Sequence, residues 1–121
     1  MKKYVSIVEI PTARFSRAVT FYKSILDIDI EEIEMDGVKM GLFPNDGSDT
    51  FVQLIHGSEN KPASDGIVVY LYGGDDLEQV VKKIESNGGR VIQTKTKIPE
   101  MGFYALFMDT EGNKLGLYSP N

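Results

Sequence analysis

The chain has 121 residues, a formal net charge of −5 and no cysteine. Its length suits one domain with its own hydrophobic core, and the lack of cysteine excludes disulfides and thiolate metal sites. The negative charge, with no large cluster of lysine and arginine, argues against a nucleic-acid partner. No apolar run reaches the roughly 18 residues of a membrane span, and the first residues lack the pattern of a signal peptide. We therefore expect a cytoplasmic protein with no membrane partner.

The first half of the chain predicts the order strand, helix, strand, strand, strand. A largely apolar stretch ends at Pro11, and residues 14–26 carry apolar side chains at the three- and four-residue spacing of an amphipathic helix. The pair Asp36-Gly37 favours a tight hairpin turn. The three strands after the helix are predicted at residues 28–34, 38–43 and 51–55.

The second half predicts the same order after a polar connector at residues 57–65. A strand at 67–72 and a helix at 75–87 are followed by strands at 90–93, 103–108 and 114–118. Adding 62 to the numbers of Ile7 and Phe15 gives Val69 and Leu77, so strand and helix positions repeat at one offset. The sequence therefore predicts an α+β fold with two tandem βαβββ modules, at about 4–56 and 66–118, within a single domain spanning 1–121.

Several segments carry a resemblance to a known family. These are IP at 10–11 with AVTFYKSIL at 18–26, GDDL at 74–77, GGRV at 88–91, and DTEGNKLGLY at 109–118. They resemble the vicinal oxygen chelate superfamily of glyoxalases, bleomycin-resistance proteins and extradiol dioxygenases, from Tyr4 to Tyr118. Thr110 stands where proline is usual in the family's closing turn. The resemblance implies two modules that curve into a half-open barrel, and a homodimer.

Active members of this superfamily hold a divalent metal with one side chain from the first and one from the last strand of each module. On this chain the resemblance places those positions at Ile7, Gln53, Val69 and Gly116. Only Gln53 carries a donor atom that suits a hard or borderline cation, so we expect no metal cofactor at this place. A shift of two residues keeps the face of a strand, and it would add Glu9 as a possible ligand beside Gln53.

Other catalytic signals are weak. The single histidine, His56, is out of phase with Gln53, so it is expected to point away from the cleft or to end its strand. A separate metal site made by His56 and Glu59 lacks a third ligand nearby in the sequence. No Ser-centred nucleophile motif and no phosphate-binding glycine loop is found.

Three functions stay open at this point. The first hypothesis is a protein without cofactor that binds a small organic molecule in its cleft, with an apolar pocket and a few polar groups. The residues expected to form that pocket are Gln53, Tyr70, Tyr72, Met101, Phe103 and Tyr118. Met101 lies in a segment, 97–102, that fits either a plain connector or a lid. The alternatives are a glyoxalase-type lyase or isomerase with Glu9 as its base, and an interaction scaffold whose cleft is filled by its own side chains.

Overall fold

The computed structural model describes residues 4–47 and 50–121. The first three residues, on which the expectation about a signal peptide partly rests, lie outside that range. No helix in the described ranges is both long and apolar enough to cross a membrane.

The described residues form eight strands and two helices. In chain order they are β1 (Ile7–Pro11), α1 (Phe15–Leu26), β2 (Glu31–Met35), β3 (Val38–Leu42), β4 (Phe51–His56), β5 (Tyr70–Tyr72), α2 (Leu77–Ser86), β6 (Arg90–Ile98), β7 (Gly102–Met108) and β8 (Lys114–Ser119). One sheet has the order β1-β4-β3-β2 and the other has the equivalent order β5-β8-β7-β6. The first and last strands of each module pair in parallel, and the remaining neighbours are antiparallel. The predicted α+β fold of two βαβββ modules is confirmed, as two sheets that do not close.

The helices pack against one face of the sheets and build a core that both modules share. Both helices bury the apolar side chains that their spacing predicted, beginning with Phe15 in α1 and Leu77 in α2. The ring of Phe21 in α1 lies 6.1 Å from that of Phe107 in β7, so side chains from the two halves meet in one cluster. Side chains of the two modules therefore pack together in one shared core.

Several element boundaries differ from the predicted ones. Asp27 ends α1 in a left-handed conformation, with φ of 54°, and β2 begins only at Glu31. β5 is shorter than predicted. β6 is longer, because it continues to Ile98 and turns directly into β7, with the Met101 N–H donating to the Ile98 carbonyl. The segment 97–102 is thus largely the end of a β-hairpin.

The turn between β7 and β8, residues 109–113, ties the second module to the first. Helix α1 has no side-chain cap of its own at Arg14. Instead, the carboxylate of Glu111 accepts hydrogen bonds from the N–H groups of Ala13 (2.8 Å) and Arg14 (2.6 Å), and from Nε of Arg17 (2.8 Å). A carboxylate at this place satisfies orphan donors and lies favourably against the helix dipole. Glu111 of module two therefore caps α1, the helix of module one.

Asp109 and Asn113 complete this connection in the interior. The buried Tyr22 hydroxyl donates to Asp109 Oδ2 at 2.7 Å, and Asp109 Oδ1 accepts from the N–H groups of Glu111 and Asn113. The Asn113 amide donates to the Pro11 carbonyl at the end of β1. Burial raises the pKa of Tyr22 well above its ordinary value, and the Asp109 carboxylate raises it further. Asp109, Glu111 and Asn113 thus have structural roles that account for the resemblance to the family's closing turn.

Candidate functional site

The candidate site lies on the faces of the two sheets that point away from the helices, called here the open faces. In β1, Val8 and Ile10 pack against the core. Because side chains alternate along a strand, Ile7 and Glu9 point to the open face of the first sheet. Strand pairing then places Gln53 of β4 directly beside Glu9.

Glu9 and Gln53 form a polar pair. The Gln53 amide nitrogen donates to Glu9 Oε2 at 3.1 Å, and Met40 Sδ of the next strand lies 3.8 Å from the same nitrogen. Ile7, the first-strand position that the resemblance matched with Gln53, instead pairs with Phe51. The structure therefore has the alternative register, shifted by two residues, in which Glu9 accompanies Gln53.

The equivalent place in the second sheet is occupied by an aromatic ring. Tyr70 pairs with Gly116, and a Cβ added to Gly116 would meet the Tyr70 ring at 2.3 Å. Val69 packs against the core and lies on the other side of its strand. The offset of 62 residues holds for the helices, from Phe15 to Leu77. It does not hold for β1 and β5, because their equivalent buried residues, Ile10 and Leu71, are one residue closer together in sequence. This slip of one residue reverses the face, so Tyr70 rather than Val69 stands across from Gly116.

The other predicted pocket residues separate into two groups. Tyr72 and Tyr118 pair with each other and share the open face with Tyr70. Phe103 does not join them, because it packs against the core, with Lys95 Nζ 4.4 Å from its ring centroid. Met101 is exposed at the hairpin between β6 and β7, and its carbonyl accepts a hydrogen bond from the Tyr118 hydroxyl.

Two open-face residues were missed by the sequence reasoning. Tyr104 packs edge-on against Tyr70, with ring centroids 6.3 Å apart, because it alternates with Phe103 and Phe107, which both pack against the core. Glu31 reaches the open face because it pairs with Leu42, which pairs in turn with Gln53. No signal in the sequence gives that chain of pairings.

A groove of about 620 Å³ runs along the open face of the first sheet. Its lining includes Ile7, Phe51, Gln53, Leu42 and Glu31. Apolar side chains thus flank amide and carboxylate groups, among them Gln53 and Glu31, the usual composition of a small-molecule site.

His56 lies apart from this groove and has a structural environment. Its Nδ1 is 3.1 Å from the Thr12 hydroxyl and 3.0 Å from the Thr12 carbonyl, which fixes the end of β4 beside the end of β1. Within residues 4–47 and 50–121, no three His, Cys, Asp or Glu side chains are grouped so that they could hold a metal ion. His56 and Glu59 therefore do not form part of such a group.

The donors on the open faces do not fit the metal site that the resemblance implies. Glu9 and Gln53 offer oxygen atoms from the first sheet. In the second sheet Gly116 has no side chain, and the Tyr70 ring covers it. Two neighbouring oxygen donors fall short of the three or four protein ligands that zinc sites use and of the larger oxygen shell of calcium.

The closing turn and the two βαβββ modules agree with a comparison against family models. The model described as "Glyoxalase/Bleomycin resistance protein/Dioxygenase superfamily" matches residues 4–117. The chain belongs to this superfamily. No curated protein sequence matches it.

Solved structures of the superfamily share its architecture. An antibiotic binding protein from Streptomyces sp. CB03234, TnmS3, superimposes with a TM-score of 0.70 at 19% identity, over 99% of this chain and 98% of that one. A glyoxylase/bleomycin resistance protein/dioxygenase domain from Frankia sp. EAN1pec gives 0.74 at 14% identity, over 98% of both chains. A glyoxalase I mutant from Zea mays gives 0.72 at 16% identity, over 94% of this chain and 45% of that one. At these identities the likeness shows the fold alone.

Proposed function

We propose that this superfamily member binds a small organic ligand on its open faces without a metal. The observation that carries the proposal is which residues pair on β1 with β4 and on β5 with β8, the strands on which active family members hold their metal ion. One sheet presents Glu9 beside Gln53, and the other presents the Tyr70 ring over Gly116. Polar recognition and an aromatic surface are available there, whereas a set of metal donors is not.

Exposed apolar side chains support this function. On the open face of the first sheet, Ile7 is 58% exposed and Phe51 52%; on that of the second sheet, Tyr70 is 49% exposed and Tyr72 63%. Neighbouring exposed apolar residues mark a binding site more often than scattered ones do. Such exposure also disfavours the scaffold alternative, in which these side chains would fill the cleft. The structural neighbour TnmS3 is described as an antibiotic binding protein, which is compatible with a small organic ligand here.

A ligand screen by thermal shift tests the proposal. A library of aromatic and heteroaromatic compounds is added to the protein with and without a chelator, and we expect hits whose stabilisation does not depend on metal. Phe51→Ala should weaken the hits. Lys82→Ala, a change of an exposed residue of α2 on the helix side of the sheets, should leave them unchanged.

A metal panel completes this test. Zinc, nickel, manganese, magnesium and iron(II) are each added to the protein, and the purified protein is submitted to elemental analysis. We expect no stoichiometric metal and no metal-dependent gain in stability. A bound metal that raises the melting temperature and is lost on Glu9→Gln would contradict the proposal.

The enzymatic alternative, a glyoxalase-type lyase or isomerase, assigns Glu9 as a general base. The exposed carboxylate and its hydrogen bond from Gln53 are the observations that favour it. If a turnover is found, Glu9→Gln should abolish most of it while ligand binding persists. Turnover that survives the change undiminished removes Glu9 as the base.

We also propose that the chain is a homodimer in the cytoplasm. The resemblance to the superfamily, in which a second subunit often completes the half-open barrel, supports the dimer. Light scattering coupled to size-exclusion chromatography, with and without a screening hit, measures the mass. A monomer at micromolar concentration in both conditions would contradict the dimer.

A further inference from the structure

The strand pairing aligns four residues in one row across the open face of the first sheet. Glu9 pairs with Gln53, Gln53 with Leu42, and Leu42 with Glu31. We call these four residues the polar row. Neighbouring strands lie about 4.8 Å apart, so the Cα atoms of the two glutamates at its ends are separated by about 14 Å. Apolar neighbours lie beside the row, with Ile7 and Phe51 paired two positions before Glu9 and Gln53.

The charge on this face is negative. Within the described ranges, neither Glu9 nor Glu31 takes part in an ion pair. The nearest basic residue on these central strands, Lys39, has the opposite parity and lines a separate pocket with Glu32 and Glu34. Neither carboxylate of the polar row is therefore held in an ion pair within the described ranges.

Other charges border the site at its rim. Lys61 and Lys114 line a pocket at the edge of β1 that also includes Glu9, yet neither comes within ion-pair distance of it in the described structure. Lys23 lies 3.6 Å from Asp29, whose side chain is almost fully exposed. These rim lysines leave the charge of the polar row unpaired.

The hydrogen-bonding atoms of the row that have no partner include acceptors. The Gln53 amide directs its N–H toward Glu9, so its carbonyl oxygen, Oε1, points elsewhere. Among the described residues no donor reaches Glu9 Oε1 or Gln53 Oε1. A partner that completes the row must therefore bring N–H or O–H groups.

We propose that the ligand of this site is an organic cation that donates hydrogen bonds, with Glu9 and Glu31 selecting its charge. The inference rests on the proposed function and specifies the ligand class. Ammonium, amidinium or aromatic amino groups at either end of the ligand pair with the carboxylates, and the Gln53 carbonyl accepts from the group at the Glu9 end. The apolar body of the ligand lies on Leu42 and Phe51.

Two dyes with the same ring system and opposite charge test the selection. Rhodamine 123 is a xanthene cation with two amino groups, and fluorescein is the corresponding xanthene anion. Fluorescence anisotropy against the full-length protein, at low salt and at increasing sodium chloride, measures both affinities. We expect rhodamine 123 to bind at least about tenfold more tightly than fluorescein, and this preference to shrink as salt rises.

Single Glu-to-Gln variants show which carboxylates attract the cationic dye. Glu9→Gln and Glu31→Gln should each weaken rhodamine 123 by about threefold to tenfold, the range for charge-assisted hydrogen bonds that are partly screened by water. Glu32→Gln is the control, because it removes the same charge one residue away on the opposite face. It should leave the affinity within about twofold, since its distance from the ligand leaves only a screened effect.

The possible results distinguish this inference from the proposed function on which it rests. Equal affinity for both dyes, or an equal loss in Glu31→Gln and Glu32→Gln, overturns the charge assignment. Binding of fluorescein that Phe51→Ala weakens, with no effect of Glu9→Gln, retains the site and refutes its preference for cations. Failure of both dyes and of the whole compound library overturns the proposed function together with this inference.

Discussion

Replacement of Glu111 should be among the most destabilising changes of a charged residue in this chain. Its side chain is fully buried, and its carboxylate accepts from the N–H groups of Ala13 and Arg14, just before α1, and from Arg17. Glu111→Ala removes a helix cap, which costs about 0.5–2 kcal/mol. It also leaves the Arg17 guanidinium without its partner. Breaking a buried pair costs about 3–5 kcal/mol, but Arg17 is 41% exposed and water can solvate it, so this contribution is smaller.

The free energy of unfolding should therefore fall by about 3–4 kcal/mol in Glu111→Ala. For a domain of this length, about 4 °C of melting temperature corresponds to each kcal/mol, so the shift is about 12–16 °C. Glu111→Gln keeps an oxygen that can accept from α1 but loses the charge facing Arg17. It should cost only about 1–2 kcal/mol. Glu59→Gln, an exposed change in the connector, is the control and should be neutral.

The pH dependence gives a second measurement of the same contact. Burial raises the pKa of Glu111, but the Arg17 side chain, the N–H groups of Arg14 and Ala13, and the Thr110 hydroxyl together lower it below its ordinary value. The stability that Glu111 contributes is therefore present above its unfolded-state pKa and is lost as pH falls through its folded-state pKa.

Urea unfolding of the wild type and the two Glu111 variants, at neutral pH and in steps toward acid, measures both effects. The difference between wild type and Glu111→Gln should narrow as the pH falls. If the wild type and Glu111→Gln have equal free energies of unfolding at neutral pH, the assignment of Glu111 as the cap of α1 is refuted. A difference between them that stays constant as the pH falls would refute it too.

Three further changes test other contacts. Tyr22→Phe should destabilise the protein by about 1–3 kcal/mol, measured by urea unfolding, because Asp109 loses a buried hydrogen bond. Gly116→Ala should weaken ligand binding in anisotropy titrations because it displaces the Tyr70 ring, and it should have little further effect when Tyr70 is already alanine. Tyr118→Phe should speed amide hydrogen exchange in the β6–β7 hairpin, because a carbonyl of that turn loses its donor.

Apolar periodicity was sufficient to predict the order of the elements. The helices were found because Phe15 and Leu77 begin runs with helical spacing, and these runs do become α1 and α2. The βαβββ order then followed from turn residues such as Asp36-Gly37, which do join β2 to β3 with positive φ at both positions.

The details of the site were less accessible, because strand register depends on tertiary pairing. The single offset of 62, applied to strands and helices alike, misplaced the fifth strand by one residue, which exchanged Val69 for Tyr70 on the open face. The pairing of Glu31 with Leu42 depends on where β2 begins, and local sequence did not predict that position. Register is set by packing across the whole sheet, which a single strand does not encode.

The dependence of α1 on Glu111 also bears on how the protein is made. The N–H of Arg14 donates to Glu111, which lies 97 residues later in the sequence. At about 5–20 residues per second, the ribosome completes α1 roughly 4–17 s before it adds Glu111. During that interval the N–H groups of Ala13 and Arg14 lack this carboxylate and are left to water. The start of α1 therefore gains its cap only after Glu111 has been synthesised and has folded against it.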